Sequence, residues 1–178
     1  MNRTLVFDTE TTDLVANSLL RESQQPHIIE FYGQIIDENG QQVEELEFLC
    51  HPGFEIEPIT TKITGIKRED LKGQPKFGHL ADKVIGLIQR ADSVVAHNLS
   101  YDWFVVNTEF KRLGINPEWP PIRICTVQET EWIKGHRLSL SALHEELFGE
   151  PFSGAHRARV DVDALTRCFN ELRQRGDI

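Results

Sequence analysis

The chain has 178 residues, 39% of them hydrophobic and 26% charged, which suits one sizeable core under an ordinary soluble surface, so a single domain over residues 1–178 is expected. Met1-Asn2-Arg3-Thr4 runs straight into Leu5-Val6-Phe7-Asp8 without the apolar core of a secretion signal, and no later stretch is long enough to span a bilayer, so a cytoplasmic protein without membrane association is expected. A formal charge of −9 argues against a general electrostatic grip on nucleic acid, which needs a basic surface, but leaves room for binding through cations held by the acids themselves.

In chain order, Leu5 to Phe7 is a short buried strand and Ile28 to Ile36 a longer apolar one. Asn39-Gly40 offers a tight reversal into a third strand, Val43 to Cys50, completing an antiparallel meander. The locally basic run Lys62, Lys67, Arg68, Lys72 and Lys76 is taken as a solvated loop. Leu80, Val84, Leu87 and Ile88 fall at helical spacing, Ser93 to Ala96 is a buried strand, and a helix runs from about Tyr101 to Leu113. Ile122 to Cys125 is another short strand, and Thr126 with Glu129 predicts a capping box for the helix after it. Leu140, Leu143 and Leu147 mark a helix closed by Gly149; Val162, Leu165, Phe169 and Leu172 define a C-terminal amphipathic helix. The order β-β-β-α-β-α-β-α-α implies an α/β fold in which the meander joins parallel strands in one mixed sheet flanked by helices. Cys50, Cys125 and Cys168 are odd in number, widely spaced and set among apolar neighbours, as reduced core thiols would be.

Five polar residues stand in or beside these apolar segments, where unpaired charge is costly. Asp8 and Glu10 are two apart on a strand, so they leave one face while Thr9 points away. Their mutual repulsion is relieved by a divalent cation between them, and oxygen ligands suit Mg²⁺ or Mn²⁺ rather than Zn²⁺; a solvated strand end would carry the same pair. Asp102 and Asp161 each open a helix, which the helix macrodipole alone would favour. His156 stands five residues before Asp161 in a polar loop, and an imidazole is suited to taking a proton near neutral pH, whereas His97 reads as structural.

Val6-Phe7-Asp8-Thr9-Glu10-Thr11-Thr12, Ala96-His97-Asn98 running to Tyr101-Asp102, and His156-Arg157-Ala158 with Asp161 resemble, in order and spacing, the three motifs of the DEDDh (DnaQ-like) 3′-5′ exonucleases, the family of the DNA polymerase III epsilon proofreading subunit and RNase T. His27-Ile28-Ile29-Glu30, Thr64-Gly65-Ile66, Ile124-Cys125-Thr126 and Leu138-Ser139-Leu140 extend the similarity over nearly the whole chain. The resemblance implies a ribonuclease H-like fold and hydrolysis of terminal phosphodiesters to nucleoside 5′-monophosphates with two divalent cations, Mg²⁺ or Mn²⁺. It implies that Asp8 bridges both cations, that Glu10 and Asp161 complete the first site, that Asp102 serves the second through water, and that His156 accepts a proton from the attacking water. Two such cations stabilise the entering and leaving oxygens of an in-line displacement and offset the site's own negative charge.

For substrate, the resemblance points to the backbone around Thr11, to Leu14 as an apolar wedge, and to Asn98 and Tyr101 beside the nucleotide; an aromatic residue at a helix start such as Tyr101 also fits the core, and Arg157 and Arg159 are free solvated side chains or phosphate contacts. Single-stranded DNA or a 3′ end is the preferred partner; an RNA-trimming enzyme of the RNase T or oligoribonuclease kind is the alternative, and a nuclease-dead binding module a remoter one. Asp13 replaces the glycine many relatives have after the paired threonines, and the long polar stretch Val15 to Gln25 suggests a flap. The chain ends soon after its last helix, so a polymerase tether is not evident and a stand-alone nuclease, in DNA repair or another pathway, is expected.

Overall fold

The computed structural model describes residues 2–15 and 17–178. Strand β1 (Thr4–Thr11) lies at the centre of a five-stranded sheet, antiparallel to β2 (Ile28–Ile36), which in turn pairs antiparallel with β3 (Gln42–Leu49). Two short helices, α1 (Pro58–Thr64) and α2 (Arg68–Leu71), precede α3 (Ala81–Gln89); β4 (Ser93–Ala96) then joins β1 in parallel. Helix α4 (Leu99–Arg112) leads to β5 (Ile122–Cys125), parallel to β4, and the sheet order is β3-β2-β1-β4-β5. The chain finishes with α5 (Thr126–Glu129), α6 (Glu131–Lys134), α7 (Leu140–Phe148) and α8 (Ala158–Arg175). This is the mixed sheet flanked by helices that the order of apolar segments implies.

Both faces of the sheet are covered, which is why Leu5-Val6-Phe7 is a continuous apolar run rather than an alternating one. Leu5 and Phe7 join Phe31, Ile35, Val94, Val106 and Phe110 on the α3 and α4 side, and Val6 joins Tyr32, Ile36, Val95, Leu143, Val162 and Leu165 on the α7 and α8 side. Gly33 makes one of these contacts possible: a Cβ there would stand 2.9 Å from Cδ2 of Leu87. Cys50, Cys125 and Cys168 are unpaired and buried, as expected. Among the described residues, no helix is long and apolar enough to cross a membrane.

Several local expectations are corrected. β1 runs on to Thr11 because its pairing with β2 continues through Glu10 opposite Glu30 to Thr11 opposite Ile28, so Asp8 and Glu10 sit inside the strand. The β2-β3 reversal is not a two-residue Asn-Gly turn: Asp37 organises it, its Oδ1 accepting from the amides of Asn39 and Gln41 at 2.9 Å each, while Gly40 takes φ +77°. The expected Thr126 capping box is absent; the Thr126 side chain is buried and its hydroxyl pairs with the His97 ring instead. Part of the basic run is helical, since Pro58 opens α1 and Gly65 closes it in the left-handed conformation, and Arg68 pairs with Glu55 at 2.8 Å.

Phe110 is fully buried on α4 with Phe77 edge-on at 5.5 Å. Phe110→Ala is expected to lower unfolding free energy by about 3–5 kcal/mol, measured by urea denaturation, and a loss under about 1 kcal/mol would show that this core relaxes freely around the cavity.

Candidate active site

The last residues of β1 turn from apolar to acidic while the strand is still covered. Asp8 and Glu10 project from the face that α8 packs on, and the first turn of α8 adds Asp161, so that one carboxylate oxygen of each lies within 4.8 Å of the others. Thr9 points to the opposite face, as the strand's alternation requires, and there it is not idle. Its amide and its hydroxyl donate to Oδ1 of Asp102, at 3.0 and 2.8 Å, fixing that buried carboxylate at the start of α4. A cavity of about 460 Å³ is lined by Asp8, Glu10, Asp102, His156 and Asp161 together with Asn98 and Tyr101.

The enclosure makes these acids reluctant to ionise. Burial first, then the neighbouring Asp102, Glu10 and Asp161, hold the Asp8 carboxyl well above the usual carboxylate range. Burial, with Asp161, Glu30 and Asp102 adding to it, pushes Glu10 up to about 8. Burial raises Asp102 to about 7 against the opposing Thr9 hydrogen bonds, and Asp161 is raised by burial as well. Among the described residues, none of these four carboxylates forms a salt bridge with a basic side chain. An all-oxygen donor set of like charge with no protein counter-charge fits a hard divalent cation such as Mg²⁺ or Mn²⁺, and the chain's cysteines lie elsewhere in the core.

His156 stands exposed at the cavity wall with φ +69°, its amide donating to Oδ2 of Asp161 at 2.8 Å. Asn98, before α4, also has positive φ, and its Oδ1 accepts from the Ser100 hydroxyl at 3.2 Å. The Tyr101 hydroxyl lies 2.6 Å from that of Thr11 and donates to the Asp13 carbonyl at 3.1 Å, so Thr11 braces the cavity from outside its lining. Leu14 is 74% exposed and lines a neighbouring cleft of about 320 Å³ with Leu20, Gln25 and Phe54, not the carboxylate cavity. Ala16, in the stretch expected as a flap, lies outside the described residues; the end of that stretch is fastened by Arg112, whose guanidinium donates to the carbonyls of Glu22, Gln25 and Pro26.

His97 also lines this cavity, with both ring nitrogens engaged within the chain. Its ring bonds Thr126 Oγ1 at 2.9 Å and the Leu138 carbonyl at 3.1 Å, and burial pushes it down to about 4. Through Leu138 it holds the approach to Ser139 and Leu140, which line the cavity together with Phe152 and which sequence reasoning left without a role. Arg157 and Arg159, read as free solvated side chains or phosphate contacts, are instead engaged within the chain. Arg157 grips Glu30 with its Nη2 2.7 Å from Oε1, and Arg159 bridges Glu45 and Glu47 while lying 4.5 Å from the Tyr32 ring centre.

Residues 5–169 match the model of a family described as exonuclease, RNase T. The chain is 29% identical over 180 residues to the PolC-type DNA polymerase III of Mycoplasmopsis pulmonis, covering 97% of this chain and 12% of that protein. It is 29% identical over 173 residues to the DNA polymerase III epsilon subunit of Pasteurella multocida, covering 94% of this chain and 66% of the subunit. The chain thus spans about a tenth of the PolC relatives and just under two thirds of the epsilon subunits it matches. Among solved structures, the Escherichia coli exonuclease I complex with single-stranded DNA shares its fold, with TM-score 0.80 at 19% identity over 98% of this chain and 41% of that one.

The raised carboxyl of Glu10 sets a sign for stability. Unfolded, it ionises near its ordinary value of 4.5; folded, it keeps its proton to about 8, so the folded state loses stability as pH rises through that window. In chelator, the melting temperature of Glu10→Gln is expected to fall less than that of the wild type over the same window, read by circular dichroism, and equally steep curves would contradict the assigned shift.

Proposed function

This chain belongs to the exonuclease family, and from that premise we propose that it removes nucleotides one at a time from the 3′ end of single-stranded DNA, releasing nucleoside 5′-monophosphates. The observation that carries the reading is the convergence of Asp8, Glu10 and Asp161, with Asp102 and His156, on one cavity at the acidic end of β1. The cavity of about 460 Å³ leaves room for a terminal nucleotide beside the acids. The single-stranded DNA held by the exonuclease I relative supports the same substrate class.

Asp8, Glu10 and Asp161 would hold one divalent cation, and Asp8 with Asp102 a second. When bound, such cations draw charge from the scissile phosphate and stabilise the entering and leaving oxygens. Asp161 accepts from the His156 amide through Oδ2, and its carboxylate would also serve as a cation ligand. His156 takes the proton of the attacking water at an imidazole nitrogen, from a backbone anchored to the carboxylate cluster itself. Thr9 sets the reach of Asp102, and Asn98, Tyr101 and Phe152 receive the nucleotide, with the Tyr101 ring held by its hydroxyl for stacking on a base. Leu14 and the backbone near Thr11 meet the strand at the rim. Three unpaired buried thiols support a reducing, cytoplasmic setting.

Digestion of 5′-labelled single-stranded DNA, duplex DNA and RNA side by side is expected to give a ladder shortening from the 3′ end, fastest on single-stranded DNA and abolished by chelator. Faster RNA digestion would replace the substrate, and cleavage of none of the three with metal present would point to a binding module. His156→Ala is expected to lower kcat by about 10²–10⁴-fold in the same assay; a rate near wild type would remove it as proton acceptor.

A further inference from the structure

Beside the four cavity carboxylates lies a fifth acid with a different fate. Glu30 is 2% exposed and stands on β2 directly opposite Glu10, on the face that carries the cluster. Arg157 grips it as a fork, Nε at 3.1 and 3.2 Å from the two oxygens and Nη2 at 2.7 Å from Oε1. The same carboxylate accepts from the Ala158 amide, the first of α8, at 2.9 Å.

Three consecutive residues are therefore tied to two acids: His156 through its amide to Asp161, and Arg157 and Ala158 to Glu30. His156 needs such ties. Its φ of +69° is a left-handed conformation that a side-chain-bearing residue leaves unless its surroundings over-determine it, and among the described non-glycine residues only Asn98 shares it. The Asp161 bond fixes the amide of His156; the Glu30 carboxylate fixes the Ala158 amide, one peptide further on, and the Arg157 side chain between them.

We infer that Glu30 and Arg157 form a positioning pair, holding the loop before α8 so that the His156 imidazole stays aimed at the cavity. The inference rests on the reading of His156 as proton acceptor. It assigns the Arg157 side chain to the protein's own geometry rather than to substrate phosphate. A pair that merely neutralised Glu30 would instead act on the cation site, through the field at Glu10, whatever residue stood at 156.

A double-mutant cycle separates the two. Rates and KM are measured at saturating Mg²⁺ for the wild type, Arg157→Ala, His156→Ala and the double variant, with the Mg²⁺ dependence of each. Arg157→Ala is expected to lower kcat on the order of 10- to 100-fold by misplacing the imidazole, with KM and the Mg²⁺ midpoint kept within about twofold. In the His156→Ala background the same change is expected to cost no more than about twofold, because the two residues act as one unit. Arg157→Met, which keeps the aliphatic stem, replaces the alanine variant if that one does not fold. A slow His156→Ala beside a full-speed Arg157 variant overturns the positioning role alone, as do losses that multiply in the double variant or a displaced Mg²⁺ midpoint. A wild-type rate for His156→Ala overturns the proton-acceptor reading and the positioning role with it.

Discussion

The structure turns on a conflict within a single strand. The centre of β1 must be covered on both faces to bury Leu5, Val6 and Phe7, and the same cover continues over Asp8 and Glu10, where it strips water from two like charges. Helix α8 supplies a third carboxylate and α4 a fourth, although each addition makes ionisation harder for the others. Holding all four groups charged in such an arrangement is costly without a counter-ion, which is the physical ground for the proposal that a divalent cation enters it.

The treatment of the remaining acids sharpens the contrast. Buried Glu30 is paired by Arg157, and Glu109 by His27 and Arg112, while half-exposed Glu45 and Glu47 share Arg159. Among the described residues, several buried or half-buried acids are paired with bases of the chain, whereas the four cavity acids form no salt bridge. A formal charge of −9 is thus compatible with a nucleic-acid substrate under the proposed reading, in which bound cations would offset the part of it that faces the cavity.

The readable part of the fold and site was written locally. Apolar runs located all five strands, helical spacing located α3, α7 and α8, and the resemblance of three motifs to a known family marked Asp8, Glu10, Asp102, His156 and Asp161 as one set, which the structure lines along one cavity. The unreadable part depends on partners far away in the chain. Thr126 looked like a helix cap because nothing nearby announces His97, and Thr9, read only as pointing away from the acids, showed no role because Asp102 is 93 residues distant. Arg157 and Arg159 looked available for phosphate because Glu30, Glu45 and Glu47 lie on strands more than 110 residues before them. Helices α1 and α2 are too short for a periodic signal and are set by Pro58, Gly65 and the packing of Leu71 with Ile56 and Ile66.

The central claim, that the enclosed acids await a cation, is tested most directly by calorimetric titration of Mg²⁺ or Mn²⁺ at about pH 7 in buffers of different ionisation enthalpy. Glu10 near 8 and Asp102 near 7 still hold protons there, so cation binding is expected to release protons, and the release is expected to shrink as pH rises. Binding without proton release at neutral pH, or no binding at all, would contradict the account.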